Sequence, residues 1–306
     1  MRIGVRIPHT GPLATPDVVR SWCRAAEDLG FCTAWGVDHL VMPRRTASLY
    51  DLGRRPVPIR DDAVSDLLTP NLEVVTTLAF AAAVTKTIKL GTSVEVLTIR
   101  NAVLNARQLA TVDRYSGGRL ICGVGAGWLK EEADAMGMPW DRRGARLEEQ
   151  IRLLRAVWTE ETPHISFEGE FWSLPEMDPE PRPVQRPIPI LIGGHSGAAI
   201  DRAVRIGDGW IASLMSPDRM SECLGRLRQA AHGHGRDPST LGVYCSAVGP
   251  NPSVEDLRPY EALGITELQV QFTSLDELRA FGERVLPLFE NVEPRQKTPI
   301  TGRREL

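Results

Sequence analysis

The sequence predicts an α/β fold, a closed (β/α)8 TIM barrel with a β-hairpin insertion after the fourth unit. Three observations point to it. Apolar strands and amphipathic helices alternate along most of the 306 residues, giving eight units, nearly all strand then helix. Two glycine-rich corners, Gly123-Val-Gly-Ala-Gly127 and Gly193-Gly-His-Ser-Gly197, each follow an apolar strand. The first corner lacks the G-x-G-x-x-G spacing of an open dinucleotide-binding sheet and stands in the fourth unit instead of the first.

The elements follow in order. Residues 2–7 read as the first strand, and Thr15-Pro16 supplies an N-cap with proline at the first helical position. Val18, Val19, Trp22, Ala25, Ala26 and Leu29 recur at helical spacing, and Gly30 closes the helix. Strand 32–37, helix 71–85, strand 88–94, helix 101–115 and strand 119–125 come next. A short helix over 129–138 and a longer one over 142–159 follow, the latter striped by Leu147, Ile151, Leu154 and Trp158. Residues 165–174 alternate around Glu168-Gly169-Glu170 and predict the inserted hairpin, which a proline-rich stretch, 175–189, joins to the next unit. Strand 189–193, helix 197–206, strand 209–213, helix 217–234, strand 242–248, helix 253–262, strand 265–272 and helix 274–288 complete the count. Residues 1–290 are expected to form one domain and 291–306 a polar tail.

Composition narrows the function. Apolar residues make 42% and charged residues 25%, with a net charge of -3, so neither nucleic acid nor an anionic membrane is an expected partner. There is no apolar run of membrane-spanning length and no long h-region at the N-terminus, so a cytoplasmic location is expected. Five scattered cysteines without Cys-x-x-Cys spacing read as buried free thiols in a reducing compartment.

In a barrel, ligands bind at the C-terminal ends of the strands. That rule selects Pro8-His9, Asp38-His39, Ser93 to Val96, Gly125 to Trp128 and Gly193 to Ser196. Glycine lets backbone approach a ligand closely, and N–H groups at a helix start attract phosphate. The two corners therefore predict one large anionic cofactor. Asp38 and His39 both titrate; a histidine here can give or take a proton while a carboxylate orients it. His9 and His195 are secondary candidates, and His164, His232 and His234 read as solvated. Trp128 either walls a planar ligand or packs beneath the rim. No H-E-x-x-H or other ligand spacing predicts a metal, and no G-x-S-x-G predicts a nucleophile.

Several motifs stand collinear over about residues 1–215. They are Gly30-Phe31, Trp35, Asp38-His39-Leu40, Leu90-Gly-Thr-Ser-Val94 with Arg100, and Ser116-Gly-Gly-Arg-Leu120. Gly123 to Trp128 with Glu131-Glu132, Arg143-Gly144, Leu153 to Trp158, Gly193-Gly194 and Gly207-Asp-Gly-Trp210 complete them. Together they resemble the luciferase-like flavin and deazaflavin oxidoreductases, most of all the coenzyme F420-dependent branch. The resemblance implies a TIM barrel whose third strand bulges at a non-prolyl cis peptide, Ser93-Val94, backing the cofactor ring near Val96. It implies Asp38 beside the ring and His39 as acid/base, matching a histidine of a sugar-phosphate dehydrogenase in the family. Gly125, Ala126, Gly127, Trp128, Gly193, Gly194, His195 and Ser196 would run along ring edge, ribityl chain and phosphate. One feature departs: that dehydrogenase carries carboxylates directly after its glycine turn, where this chain has Trp128-Leu129. Glu131 and Glu132 come later, on a helix expected to point elsewhere, so proton transfer rests on His39 alone.

The expected function is thus hydride transfer between coenzyme F420 and a small organic substrate. An FMN-dependent two-component monooxygenase of the same fold is the alternative, and a non-catalytic flavin- or deazaflavin-binding protein a third. Lys130, Arg142 and Arg143 are candidates to receive the deazaflavin's acidic tail. Arg44, Arg45, Arg54, Arg55 and Arg60 make the loop over 40–70 basic. Dimers are frequent in the family, so a homodimer is compatible.

Overall fold

The computed structural model describes residues 1–289 except Arg45, 52–55, 59–68 and Glu160. The polar tail 291–306 and the loop arginines Arg45, Arg54, Arg55 and Arg60 lie outside the described residues.

Eight strands form the barrel: β1 (Arg2–Arg6), β2 (Thr33–Gly36), β3 (Lys89–Thr92) and β4 (Leu120–Gly125), then β5 (Ile190–Gly193), β6 (Gly209–Ala212), β7 (Gly242–Ser246) and β8 (Glu267–Val270). Each pairs in parallel with its sequence neighbours, and β8 pairs with β1 to close the ring. Alternation along each strand sorts the side chains. Ile3 and Val5 of β1 join the outer core against the helices, while Trp35, Ile121, Leu191, Ile211 and Tyr244 pack together as a separate cluster in the lumen. The Trp35 indole fits because its neighbours are small: a Cβ on Gly91 would stand 2.3 Å from its ring, and one on Gly4 would stand 2.6 Å from Nε1. That nitrogen donates to the buried Glu267 at 2.6 Å.

The Ser116-Gly-Gly-Arg motif has a local cause. Gly117 and Gly118 take φ of 68° and 84°, a region that favours glycine, and turn the chain from its helix (Ala102–Ser116) into β4. Arg119 then donates to the carbonyls of Ala82, Thr85 and Ile88, serving the C-terminal end of helix Val74–Val84 and the segment beyond it.

The inserted hairpin is present, with arms Ile165–Glu168 and Ser173–Met177. Its second arm runs past the expected end and includes Pro175, which a two-stranded ribbon tolerates because one edge needs no donor. Glu149, buried in helix Arg143–Thr159, accepts the N–H groups of Glu170, Phe171 and Trp172 and so fixes the turn. A second hairpin, Leu49–Asp51 with Pro56–Pro58, lies in the loop after β2, where no strand was expected. All five cysteines are free; Cys32 is half-buried and the rest are buried. Among the described residues no helix is long and apolar enough to cross a membrane.

Candidate functional site

Two clefts adjoin at the C-terminal mouth of the barrel and share Ser93, Val94, Trp128 and Ser213 as a common wall. One, of about 380 Å³, is lined by Gly125 to Trp128 and Gly193 to Ser196. The other, of about 190 Å³, is lined by Asp38, His39, Met42, Asn71 and Val96 among others. Of the residues that the sequence singled out at the strand ends, Asp38, His39, Ser93, Val94, Val96, Gly125 to Trp128 and Gly193 to Ser196 border one cleft or both, whereas Pro8, His9 and Glu95 do not.

The wall is built by the third strand. After β3 the Ser93-Val94 peptide is cis, as the resemblance implied, and Glu95–Val96 then pairs beside β4. The Val94 side chain lies between the two glycine corners. A Cβ on Gly125 would come within 2.9 Å of it, and one on Gly193 within 2.7 Å. The strands carrying the corners are direct neighbours, Ile190 facing Cys122 and Ile192 facing Val124. Gly127 and Gly194 take φ of 79° and 116°, conformations that keep side chains off the floor. The corner's carbonyls are occupied: Thr98 Oγ1 donates to Ala126 at 2.9 Å, and Arg143 Nε to Gly127 at 3.3 Å. Ser93 Oγ, by contrast, is buried without a hydrogen-bond partner.

His39 is held by a carboxylate from across the mouth. Its Nδ1 lies 3.0 Å from Glu132 Oε2, and a carboxylate only accepts, so Nδ1 carries the proton and Nε2 is the nitrogen left for a ligand. The other oxygen, Oε1, accepts from the backbone N–H of Leu40 and Val41. Glu131 beside it accepts from Ala47 N and from Ser48 N and Oγ. These bonds hold its carboxyl down to about 2 against a desolvation that pulls the other way. Helix Lys130–Ala135 thus clasps the loop that leaves β2. This corrects the expectation that Glu131 and Glu132 point elsewhere. Trp128 meets the His39 ring edge-on at 5.7 Å.

Asp38 plays a different part from the one its position suggested. It does not orient His39; its side chain is 1% exposed, with Oδ1 accepting from Arg100 at 2.7 Å and Oδ2 from Val96 N at 2.9 Å. Arg100 also faces Glu95 and Glu73, so one guanidinium ties three carboxylates behind the wall. Burial pushes the Glu95 carboxyl up to about 7, Arg100 opposing and Asp38 adding to it, and burial likewise raises Asp38.

The short helix also fails to present its start to an anion. Lys130 N donates to Ser48 Oγ, and Lys130 Nζ pairs with Asp134. Arg142 pairs with Glu170 away from the clefts, whereas Arg143 reaches the larger cleft and stacks on Trp140 at 3.9 Å. The second corner does lead into a capped helix, Gly197–Ile206, with Ser196 Oγ accepting from Ala199 N. His195 lines the larger cleft and accepts from Ser213 N at 3.3 Å. His9 is buried behind the site, its ring between the carbonyls of Ile7 and Val37, and burial lowers its pKa. His164, His232 and His234 are exposed.

Sequence reading missed Arg6, Thr10, Asn71, Arg202, Ser213 and Leu214, which also line the clefts. Leu214 holds a φ of 49°, unusual for a bulky residue. The strand-end rule reaches Ser213, and alternation along β1 reaches Arg6; Asn71 and Arg202 carry no such signal.

The family model described as luciferase-like monooxygenase matches residues 1–249. An uncharacterized protein of Mycobacterium tuberculosis is 32% identical over 266 residues, covering 86% of this chain and 90% of its own. An FMNH2-dependent dimethylsulfone monooxygenase of Pseudomonas putida is 40% identical over 137 residues, or 43% of this chain and 37% of that enzyme. Two solved structures share the fold. The monooxygenase RslO1 from Streptomyces bottropensis superposes with a TM-score of 0.73 at 21% identity, over 94% of this chain and 99% of its own. An F420-dependent secondary alcohol dehydrogenase, solved with an F420-acetone adduct, gives 0.73 at 15% identity, over 92% and 97%.

Proposed function

The chain belongs to the luciferase-like monooxygenase family, and from that premise we propose that it is a coenzyme F420-dependent oxidoreductase acting on a small organic substrate. One observation carries the reading: a histidine fixed at Nδ1 by Glu132 lines a cleft that shares a wall with the two glycine corners.

The residues fit a tricyclic cofactor. Gly125 and Gly193 lack the Cβ atoms that would collide with Val94 on the wall between the corners, and Ser93 Oγ offers an unused hydrogen bond there. When bound, the deazaflavin supplies or accepts a hydride at its ring carbon. Ser93 and Val94 would back the ring, and Gly125 to Trp128 with Gly193 to Ser196 would hold its edge, chain and phosphate. Arg143 and Arg202 line that same cleft and bring positive charge to it. His39 would move the proton at the substrate's reacting heteroatom, its tautomer set by Glu132. Met42, Trp128 and Leu214 would keep water from the neighbouring cleft.

The FMN reading keeps some support from the stretch shared with the dimethylsulfone monooxygenase. Anaerobic reoxidation of reduced F420 separates the possibilities. Turnover with ketone or activated alkene acceptors supports the leading reading. Binding of reduced FMN with oxygen consumption, and no deazaflavin turnover, replaces it with a monooxygenase. Deazaflavin binding without reoxidation by any acceptor leaves a binding protein.

A further inference from the structure

We propose that the substrate carries a second hydroxyl group near the one that reacts, and that Asn71, with Thr10 at its side, reads it. The inference rests on the reading above and narrows its substrate class to diols and the matching hydroxyketones.

Backbone pairing brings the two side chains together. Thr10, in the loop after β1, forms an isolated antiparallel bridge with Asn71, which precedes helix Val74–Val84. Gly11 N donates to Pro70 O at 2.8 Å and Leu72 N to His9 O at 2.9 Å, so the bonds flank the bridge. Thr10 and Asn71 are thus a non-hydrogen-bonded pair, whose side chains share one face with Cα atoms about 4.5 Å apart. Both line the smaller cleft, beside His39.

One bond decides which atoms they present. Asn71 Nδ2 donates to the backbone carbonyl of His39 at 2.6 Å. A carbonyl only accepts, so the amide nitrogen is the atom that faces it and Oδ1 is the other branch of the plane. Asn71 Oδ1 and Thr10 Oγ1 have no partner among the described residues, and neither is sealed from solvent. The imidazole Nε2 of His39 is a second acceptor on the same cleft. Asp38, the acidic residue lining it among the described residues, has both oxygens committed to Arg100 and Val96 N. The side-chain acceptors at Asn71 and His39 are therefore neutral, and together they call for two donors on one molecule. One O–H faces His39 Nε2 at the reacting carbon; the other faces Asn71 Oδ1, where Thr10 Oγ1 can donate back to its oxygen. Met42 and Leu214 flank the carbon skeleton.

Trans-1,2-cyclohexanediol, its monomethyl ether and cyclohexanol are titrated into the purified protein while Trp fluorescence is followed, Trp128 being in the wall of the cleft. The diol is expected to bind about fivefold or more tightly than either single donor, because a site built to accept a hydrogen bond rejects the analogue that lacks it. Asn71→Ala should erase that preference, and Thr10→Val, which keeps the backbone bridge, should reduce it. Equal binding of all three, no binding of any, or a preference unchanged in both variants overturns the proposal. Equal weakening of all three compounds in Asn71→Ala assigns the amide to holding the His39 loop and also overturns it. Absence of any F420 or FMN binding to the unmodified protein instead sinks the oxidoreductase reading, whatever the diol does.

Discussion

Glu132 Oε2 receives the Nδ1 proton of His39 across 93 residues of chain, and this pair couples the loop after β2 to the helix after β4. A buried carboxylate with three donors has little reason to move, so the imidazole is held in one tautomer beside the cleft.

Replacing His39 with Ala should therefore cost on the order of a hundredfold or more in turnover. Cofactor affinity should change by no more than about twofold, since the proposed ring site lies on the other side of the shared wall. Parallel losses in both would mean that His39 is part of the cofactor's scaffold.

Glu132→Gln should lower turnover on the order of tenfold, because the amide can donate to Nδ1 and allow the wrong tautomer. Its readout is the split between kcat and KM: kcat should fall while KM changes by no more than about twofold. A rise in KM with kcat unchanged would leave Glu132 a purely structural clasp.

The network around Arg100 gives stability a pH dependence. Glu95 is raised from 4.5 to about 7 by burial, so between those values the folded protein holds a proton that the unfolded chain releases. Unfolding free energy should then fall as pH rises through this window, by at most about 3 kcal/mol from this group, and level off above it. Denaturant titrations of the protein and of Glu95→Gln from pH 5 to 8 should diverge, the variant losing that slope. Identical slopes would show that Glu95 is ionised throughout.

Arg119→Lys should lower the melting temperature by about 5 °C, since an ammonium cannot span the carbonyls of Ala82, Thr85 and Ile88. Calorimetry that finds no change would mean these bonds are matched by water.

Much of the fold was legible because each strand–helix unit announces itself locally. The lumen pattern of Trp35 against Gly4 and Gly91 is the nearest the sequence comes to displaying the barrel's interior. The glycine corners were legible for the same reason: their chemistry is written in consecutive residues. The electrostatics of the site were not. Asp38 and His39 are adjacent, yet one turns to Arg100 and the other to Glu132, and only the closed ring decides which. The helix start at Lys130 looked open to phosphate, but Ser48, brought over by the loop after β2, occupies its N–H. Pairings over such separations depend on packing, not on local pattern.

The most direct test is a fluorescence titration of the apo protein with F420, beside Gly125→Val and Gly193→Val. The account expects one site per chain, weakened at least about tenfold by each change because each pushes a side chain toward Val94 across the shared floor. Saturable binding that neither substitution disturbs, in variants that fold normally, would contradict it.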